Sequence, residues 1–278
     1  MPWCARAKTA RFNSGAPAQD RQSPADDRNG RSMDFGPADC PVDRMALFLD
    51  VDGTLIEFAP RPDAVRVPPD LPDALASAER RLGGALALLS GRAIADLDRL
   101  MAPLRLRTVG LHGAEWRAAP DAPTTATVPL PLPLVAAARA LLPAFPGTWL
   151  EDKGPSFAVH YRASPELGVE LGAALARFAQ RAAEDGANPR LELMAGELVY
   201  EIKPAGFDKG SALSRFMQLP PFVGRRPVFV TDHVIDQAGM QAALDLGGYA
   251  LSVGQKLPGA VAWFRNPASV RAWLKGLA

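Results

Sequence analysis

Five apolar residues in an unbroken row, Met45-Ala46-Leu47-Phe48-Leu49, run directly into Asp50-Val51-Asp52-Gly53-Thr54. No polar position interrupts the row, so a strand here is buried on both faces, as in a parallel sheet layered between helices. Two carboxylates at i and i+2 past such a strand lie on one side of the extended backbone. At the carboxyl end of a parallel strand they face the crevice where open α/β sheets take ligands. Gly53 permits a tight turn, and Thr54 can hydrogen-bond an anion or a neighbouring carboxylate. Two acids beside a phosphate need a bridging cation, and magnesium prefers one or two carboxylates together with phosphate oxygens and water. One aspartate can then attack phosphorus while the other protonates the leaving oxygen.

The surrounding pattern is that of βα units. Helical spacing over 70–83 ends at Gly83-Gly84, and the apolar run Ala85 to Leu89 leads into Ser90-Gly91-Arg92 and a helix through Met101. A third apolar stretch ends at Gly110-Leu111-His112-Gly113. Strands alternating with helices indicate parallel pairing. From about residue 116 the texture changes to a proline-rich stretch, a helix over 134–142 and a helical stripe of Leu167, Leu171, Leu175 and Phe178. Ser156 to Arg162 and Leu198 to Lys203 alternate instead. That alternation predicts antiparallel strands with one open face, which carries Glu201 and Lys203. The βα texture returns at Asp208, through a strand over 227–231 and a closing helix over 267–277. The expected fold is α/β: a Rossmann-like parallel-sheet core over 44–115 and 205–278, with an inserted α+β domain over 116–204.

Composition excludes several classes. A formal net charge of +1 offers no broad basic surface for nucleic acid or an anionic membrane. No apolar stretch is long enough to cross a bilayer, and the start of the chain lacks the apolar centre of a secretory signal. Residues 1–43 are too polar to bury a core and are expected to form a disordered extension. Cys4 and Cys40 both precede the first core strand, which argues against a disulfide framework or a cysteine-bound metal. A cytoplasmic monomer acting on a small molecule is expected.

Further candidates follow the first motif. Ser90 ends a strand, where its hydroxyl can bind a phosphate oxygen or cap the next helix. Lys209, at the start of Lys-Gly-Ser-Ala-Leu, can neutralise a nucleophile and the transferring phosphoryl group, and Lys203 competes for that role. Asp232 and Asp236 follow a strand at a spacing that suits a metal and its water shell, or the acidic start of a helix.

Taken in order, Asp50-Val51-Asp52-Gly53-Thr54, Ser90-Gly91-Arg92, Lys209-Gly210 and Asp232-x-x-x-Asp236 resemble the four motifs of haloacid dehalogenase phosphatases. The insertion falls between the second and third, as in the branch with a type 2 cap. More narrowly, the chain resembles the trehalose-6-phosphate phosphatase family in Gly110-Leu111-His112-Gly113-Ala114-Glu115, Glu151-Asp152-Lys153, His160-Tyr161-Arg162, Glu201-Ile202-Lys203-Pro204 and Gly206-Phe207-Asp208-Lys209-Gly210. The loop with Pro60 and Pro62 also suits that family, and the resemblance covers about residues 44–278.

The resemblance implies hydrolysis of trehalose 6-phosphate with Mg2+ as cofactor. It makes Asp50 the nucleophile, Asp52 the acid and base, and Ser90 and Lys209 the holders of the phosphoryl group. Metal binding falls to Asp50, Asp52, Asp232 and Asp236, with Asp52 acting through its carbonyl. Glu151, Lys153 and Glu201 are expected to read the disaccharide, with Thr54, Gly91, Arg92, His112, Arg162 and Lys203 completing the substrate site. Related sugar phosphates (sucrose phosphate or a mannosyl-glycerate phosphate) are the alternative substrates, and a weakened sugar-phosphate sensor is the alternative role. The family usually carries Gly-Asp-Asp-x-Thr-Asp-Glu at the fourth motif. Thr231-Asp232-His233-Val234-Ile235-Asp236-Gln237 departs from it, and His233 and Gln237 replace two acids. His233 as an alternative ligand would favour a softer metal.

Overall fold

The computed structural model describes residues 35–36, 38–59, 64–127, 129–184, 190–196 and 198–277. The extension expected over 1–43 lies largely outside the described residues, and so do Pro60 and Pro62.

The apolar row forms β1 (Met45–Leu49), every residue of which is buried. It pairs in parallel with β2 (Leu86–Leu89) on one side and β10 (Arg226–Thr231) on the other. Outward from β2 come β3 (Arg107–Gly110), β4 (Glu115–Arg117) and β5 (Thr125–Ala126); outward from β10 come β11 (Tyr249–Val253) and β12 (Ala262–Phe264). Pairing is parallel from β12 through β3, while β4 and β5 add antiparallel. The chain therefore leaves β1 toward one edge of the sheet and later fills the other, which makes the carboxyl end of β1 a switch point. Asp50 sits there.

Helices α1 (Leu71–Arg81), α2 (Ile94–Leu100), α5 (Lys209–Phe216), α6 (Gln237–Asp245) and α7 (Pro267–Leu277) belong to the stretches that build this sheet. Its core includes Phe48, Phe216, Phe222 and Phe229, all fully buried. Residues 116–117 and 125–126, beyond the boundary expected from texture, pair with this sheet rather than with the second one. Packing explains the attachment: the Trp116 ring of β4 stacks on Phe216 of α5 at 4.0 Å, with the Arg215 guanidinium 4.2 Å from the indole centroid.

A second, fully antiparallel sheet comprises β6 (Trp149–Asp152), β7 (Phe157–His160), β9 (Val199–Pro204) and β8 (Leu191–Gly196), in that order. Phe157, Val159 and Ile202 point into a separate apolar cluster with Leu171 and Leu175 of α4 (Gly168–Glu184) and Val135 of α3 (Leu132–Arg139). Period-2 alternation thus buries one face beneath two helices. The other face does not open to solvent as the sequence suggests, since Glu201 is 6% and Lys203 3% exposed.

Phe216 touches Trp116, Phe222 and Phe48, so its truncation leaves a cavity that three rings cannot fill. Phe216→Ala is expected to cost about 3–5 kcal/mol of unfolding free energy, measured by guanidinium denaturation. A loss below about 1 kcal/mol would show that the aromatic cluster does not tie β4 and α5 to the sheet.

Candidate active site

Asp50 extends from β1 into a group of charges built from four places in the chain. Its Oδ1 lies 2.7 Å from Lys209 Nζ, which is also 2.6 Å from Asp236 Oδ2. Lys209 is the first residue of α5, and a capping box fixes that start: Asp208 Oδ1 accepts from Ser211 N at 2.7 Å, and Asp208 N donates back to Ser211 Oγ at 3.2 Å. The lysine is thereby aimed by helix-start chemistry, not by chance exposure.

Burial works against the Lys209 ammonium, but Asp236 and Asp50 outweigh it and raise its pKa. Asp50 shifts well upward as well, chiefly through burial and partly through Asp236 and Asp232, with Lys209 opposing. Asp232 is raised by burial too, although a hydrogen bond from Thr54 Oγ1 at 3.2 Å and the nearby lysine pull the other way. Three buried or half-buried carboxylates thus face one ammonium, leaving an excess of negative charge.

That excess suits a hard cation. Among the described residues no three His, Cys, Asp or Glu side chains form a metal cage. Magnesium does not require one, because phosphate oxygens and water complete its shell. Asp50, Asp232 and the Asp52 carbonyl have the right donor chemistry. Gly53 makes room for this: it holds φ +76°, and a Cβ there would sit 2.2 Å from Asp232 Oδ2. Asp236 Oδ2 accepts from both Lys209 and the Thr231 hydroxyl, which ties this metal-ligand candidate to the lysine. His233 uses Nδ1 to accept from Ile235 N at 3.1 Å, which caps the local 3-10 turn.

Ser90 is 1% exposed, and its hydroxyl accepts from Arg92 N at 3.1 Å. It does not cap α2, whose N-cap is Ala93; Glu115 Oε2 instead accepts from Ile94 N at 2.6 Å. Lys203, the competitor for the phosphate role, turns to Glu192 and the Phe207 carbonyl and stays away from Asp50. Lys209 is therefore the lysine at the nucleophile candidate. Lys203 ties β9 to β8 and to the segment before α5, and does not line the cavity between the sheets.

That cavity, of about 520 Å³, is walled by Asp52, Gly91, Arg92 and His112 from the large sheet's loops and by Glu151, Lys153, Arg162 and Glu201 from the second sheet's side. Most of the expected substrate residues converge here; Thr54, fully buried, stays with Asp232. Glu201 is the junction. It accepts from Ser156 Oγ at 2.8 Å and Lys153 Nζ at 3.1 Å, and His112 Nε2 stands 3.5 Å away across the cavity. Gly91 admits that imidazole, because a Cβ there would meet His112 Nε2 at 2.5 Å. Sequence reasoning gave no role to Phe58, Asp96 or His160, which also line the cavity. Only His160 carried a signal, as the first residue of His160-Tyr161-Arg162. It binds Glu151 Oε2 at 2.9 Å and stacks on Trp149 at 4.0 Å.

Burial opposes ionisation of Glu201, yet the hydrogen bond and charge of His112, the Lys153 ammonium and the Ser156 hydroxyl overcome it and hold the carboxyl far below its usual range. A depressed carboxylate contributes stability above its unfolded value near ~4.3, and that stability is lost as pH falls toward the folded value. Between about pH 5 and pH 2 the thermal midpoint should fall more steeply in the wild type than in Glu201→Gln. Parallel slopes would contradict the charge network.

A family model described as trehalose-phosphatase matches residues 48–241. A probable trehalose-phosphate phosphatase of Sinorhizobium fredii is 40% identical over 234 residues, covering 82% of this chain and 84% of the relative. The trehalose-6-phosphate phosphatase of Escherichia coli K12 is 36% identical over 234 residues, covering 84% and 86%. Among solved structures, the C-terminal domain of C. albicans trehalose-6-phosphate phosphatase superposes with a TM-score of 0.68 at 19% identity, over 84% of this chain and 92% of that one. At that identity the likeness speaks for the fold.

Proposed function

We infer the function from one premise: the chain belongs to the trehalose-phosphatase family. It hydrolyses trehalose 6-phosphate to trehalose and inorganic phosphate. The observation that carries this reading is the Asp50–Lys209 contact of 2.7 Å at the end of β1, close to a cavity with polar walls from two sheets.

Asp50 attacks phosphorus and forms an aspartyl-phosphate, with Lys209 and Ser90 holding the phosphoryl oxygens. Asp52 protonates the bridging oxygen as the sugar leaves, then takes a proton from the water that hydrolyses the intermediate. Asp50, Asp232 and the Asp52 carbonyl would hold Mg2+, which when bound offsets negative charge on the phosphoryl group. Asp236 supports the site by orienting Lys209. Residues of the second sheet act as a cap: Glu151, Lys153 and Arg162 present donors and acceptors to the disaccharide, and Glu201 fixes Lys153 and His112. Cap closure keeps water from the aspartyl-phosphate until the sugar departs. The enzyme works as a cytoplasmic monomer without nucleic-acid or membrane partners. Among the described residues no helix is long and apolar enough to cross a membrane.

A substrate panel with magnesium tests the reading. Trehalose 6-phosphate should exceed sucrose 6-phosphate, a mannosyl-glycerate phosphate and glucose 6-phosphate by about tenfold or more in kcat/KM. Equal rates across the panel would overturn the assignment. Chelation should abolish turnover and added Mg2+ restore it. Asp50→Asn should lower kcat by about a thousandfold or more while leaving the thermal midpoint near that of the wild type. Absence of phosphate release from the wild type would favour the sensor role instead.

A further inference from the structure

Arg92 closes on Asp52 from the turn after β2. Its Nε donates to Oδ2 at 2.7 Å and its Nη2 to Oδ1 at 2.7 Å, a two-point clasp that sets the plane of the carboxylate as well as its distance. The Arg92 side chain is 11% and the Asp52 side chain 25% exposed, so the pair sits in the cavity wall and is shielded from bulk solvent. The base of the arginine is pinned at both ends: its N–H donates to Ser90 Oγ at 3.1 Å, and its carbonyl accepts from Leu111 N at 3.0 Å. Burial works against the cation, and Asp52, Asp96 and Glu151 together overcome it. Arginine is suited to such a hold because its fork is planar and always charged.

This arrangement poses a mechanical question. Both Asp52 oxygens are occupied by guanidinium donors, so the side chain as placed offers no proton to a leaving oxygen. We propose that Arg92 is a positioning residue acting through Asp52, which it holds by a two-point clasp that opens to a one-point pivot during catalysis. The inference rests on the acid–base role proposed above for Asp52.

A turn of the Asp52 side chain leaves one oxygen on the guanidinium and frees the other, which takes a proton from solvent water and faces the bridging oxygen. That proton passes to the bridging oxygen as the P–O bond breaks, and the bond's electron pair goes to the departing sugar. The resulting carboxylate accepts a proton from the water that attacks phosphorus, which frees Asp50, and loss of that proton to solvent restores the two-point clasp. The remaining Arg92 contact keeps the side chain on one arc throughout. A direct contact between Arg92 and substrate, the role the family resemblance implies, would place its effect on binding instead.

Kinetics of the full chain with Mg2+ separate the two roles. Arg92→Gln should lower kcat on trehalose 6-phosphate about tenfold or more, with KM changed less than about threefold. Arg92→Lys, which keeps the charge and one contact, should recover part of kcat and serves if the first variant unfolds. In a D52N background, adding Arg92→Gln should cost less than about threefold, because no carboxylate remains to be positioned. Steady-state turnover of p-nitrophenyl phosphate, whose leaving group needs no proton, spares that background the first step and reads Asp52 through hydrolysis of the aspartyl-phosphate. A raised KM with kcat intact, or equal losses in both backgrounds, would overturn the proposal. Wild-type indifference to trehalose 6-phosphate would overturn the functional reading alone, since the cycle on the aryl ester still reads the coupling.

Discussion

The active-site architecture depends on one buried ammonium. Lys209 stands between Asp50 and Asp236, and without it those carboxylates would face Asp232 with no internal counter-charge. Like charges at such separations are costly in a low-dielectric setting, and removing one partner of a buried ion pair costs more than the pair itself contributes. The fold goes to some length to place that nitrogen. A capping box starts α5 at Lys209, and the Thr231 hydroxyl holds Asp236 from the end of β10. The single lysine still leaves the site short of positive charge. That shortfall is the charge that the proposed divalent cation would offset.

A second network repeats this logic across the cavity. Glu201 gathers Ser156 and Lys153 from its own sheet and faces His112 from the other. Its oxygens are occupied by protein donors, so its contribution is to orient Lys153 and His112, the groups proposed to face the sugar. In both networks a single charged centre is satisfied by its own protein partners and fixes the positions of its neighbours. Arg92 lies between them, clasping Asp52 in the field of Glu151.

The strongest local patterns were legible in the sequence. An uninterrupted apolar row could only be a doubly buried strand, and β1 lies between two parallel neighbours. Alternation along 157–161 and 198–203 revealed which residues share a face, and Phe157, Val159 and Ile202 do pack together. Alternation cannot tell whether the polar face meets water or another layer, which is why Glu201 and Lys203 proved buried. Pair partners were harder still. Lys203 and Lys209 look alike in sequence, and only the register with Glu192 and the proximity to Asp50 separate them. The Asp236 partner was equally hidden, because spacing along a helix start says nothing of a lysine 27 positions earlier. That His233 caps a turn was not legible in the sequence either.

The central claim is that Asp50, among the several acids gathered at the carboxyl ends of β1 and β10, carries the phosphoryl group. Borohydride quenching during turnover of trehalose 6-phosphate, followed by peptide mass mapping, tests it directly, because an acyl phosphate is reduced to an alcohol at the residue that formed it. The reduced residue should be found at position 50 and should depend on substrate. Reduction at Asp52 or Asp232, or sustained phosphate release with no trapped residue, would contradict the account.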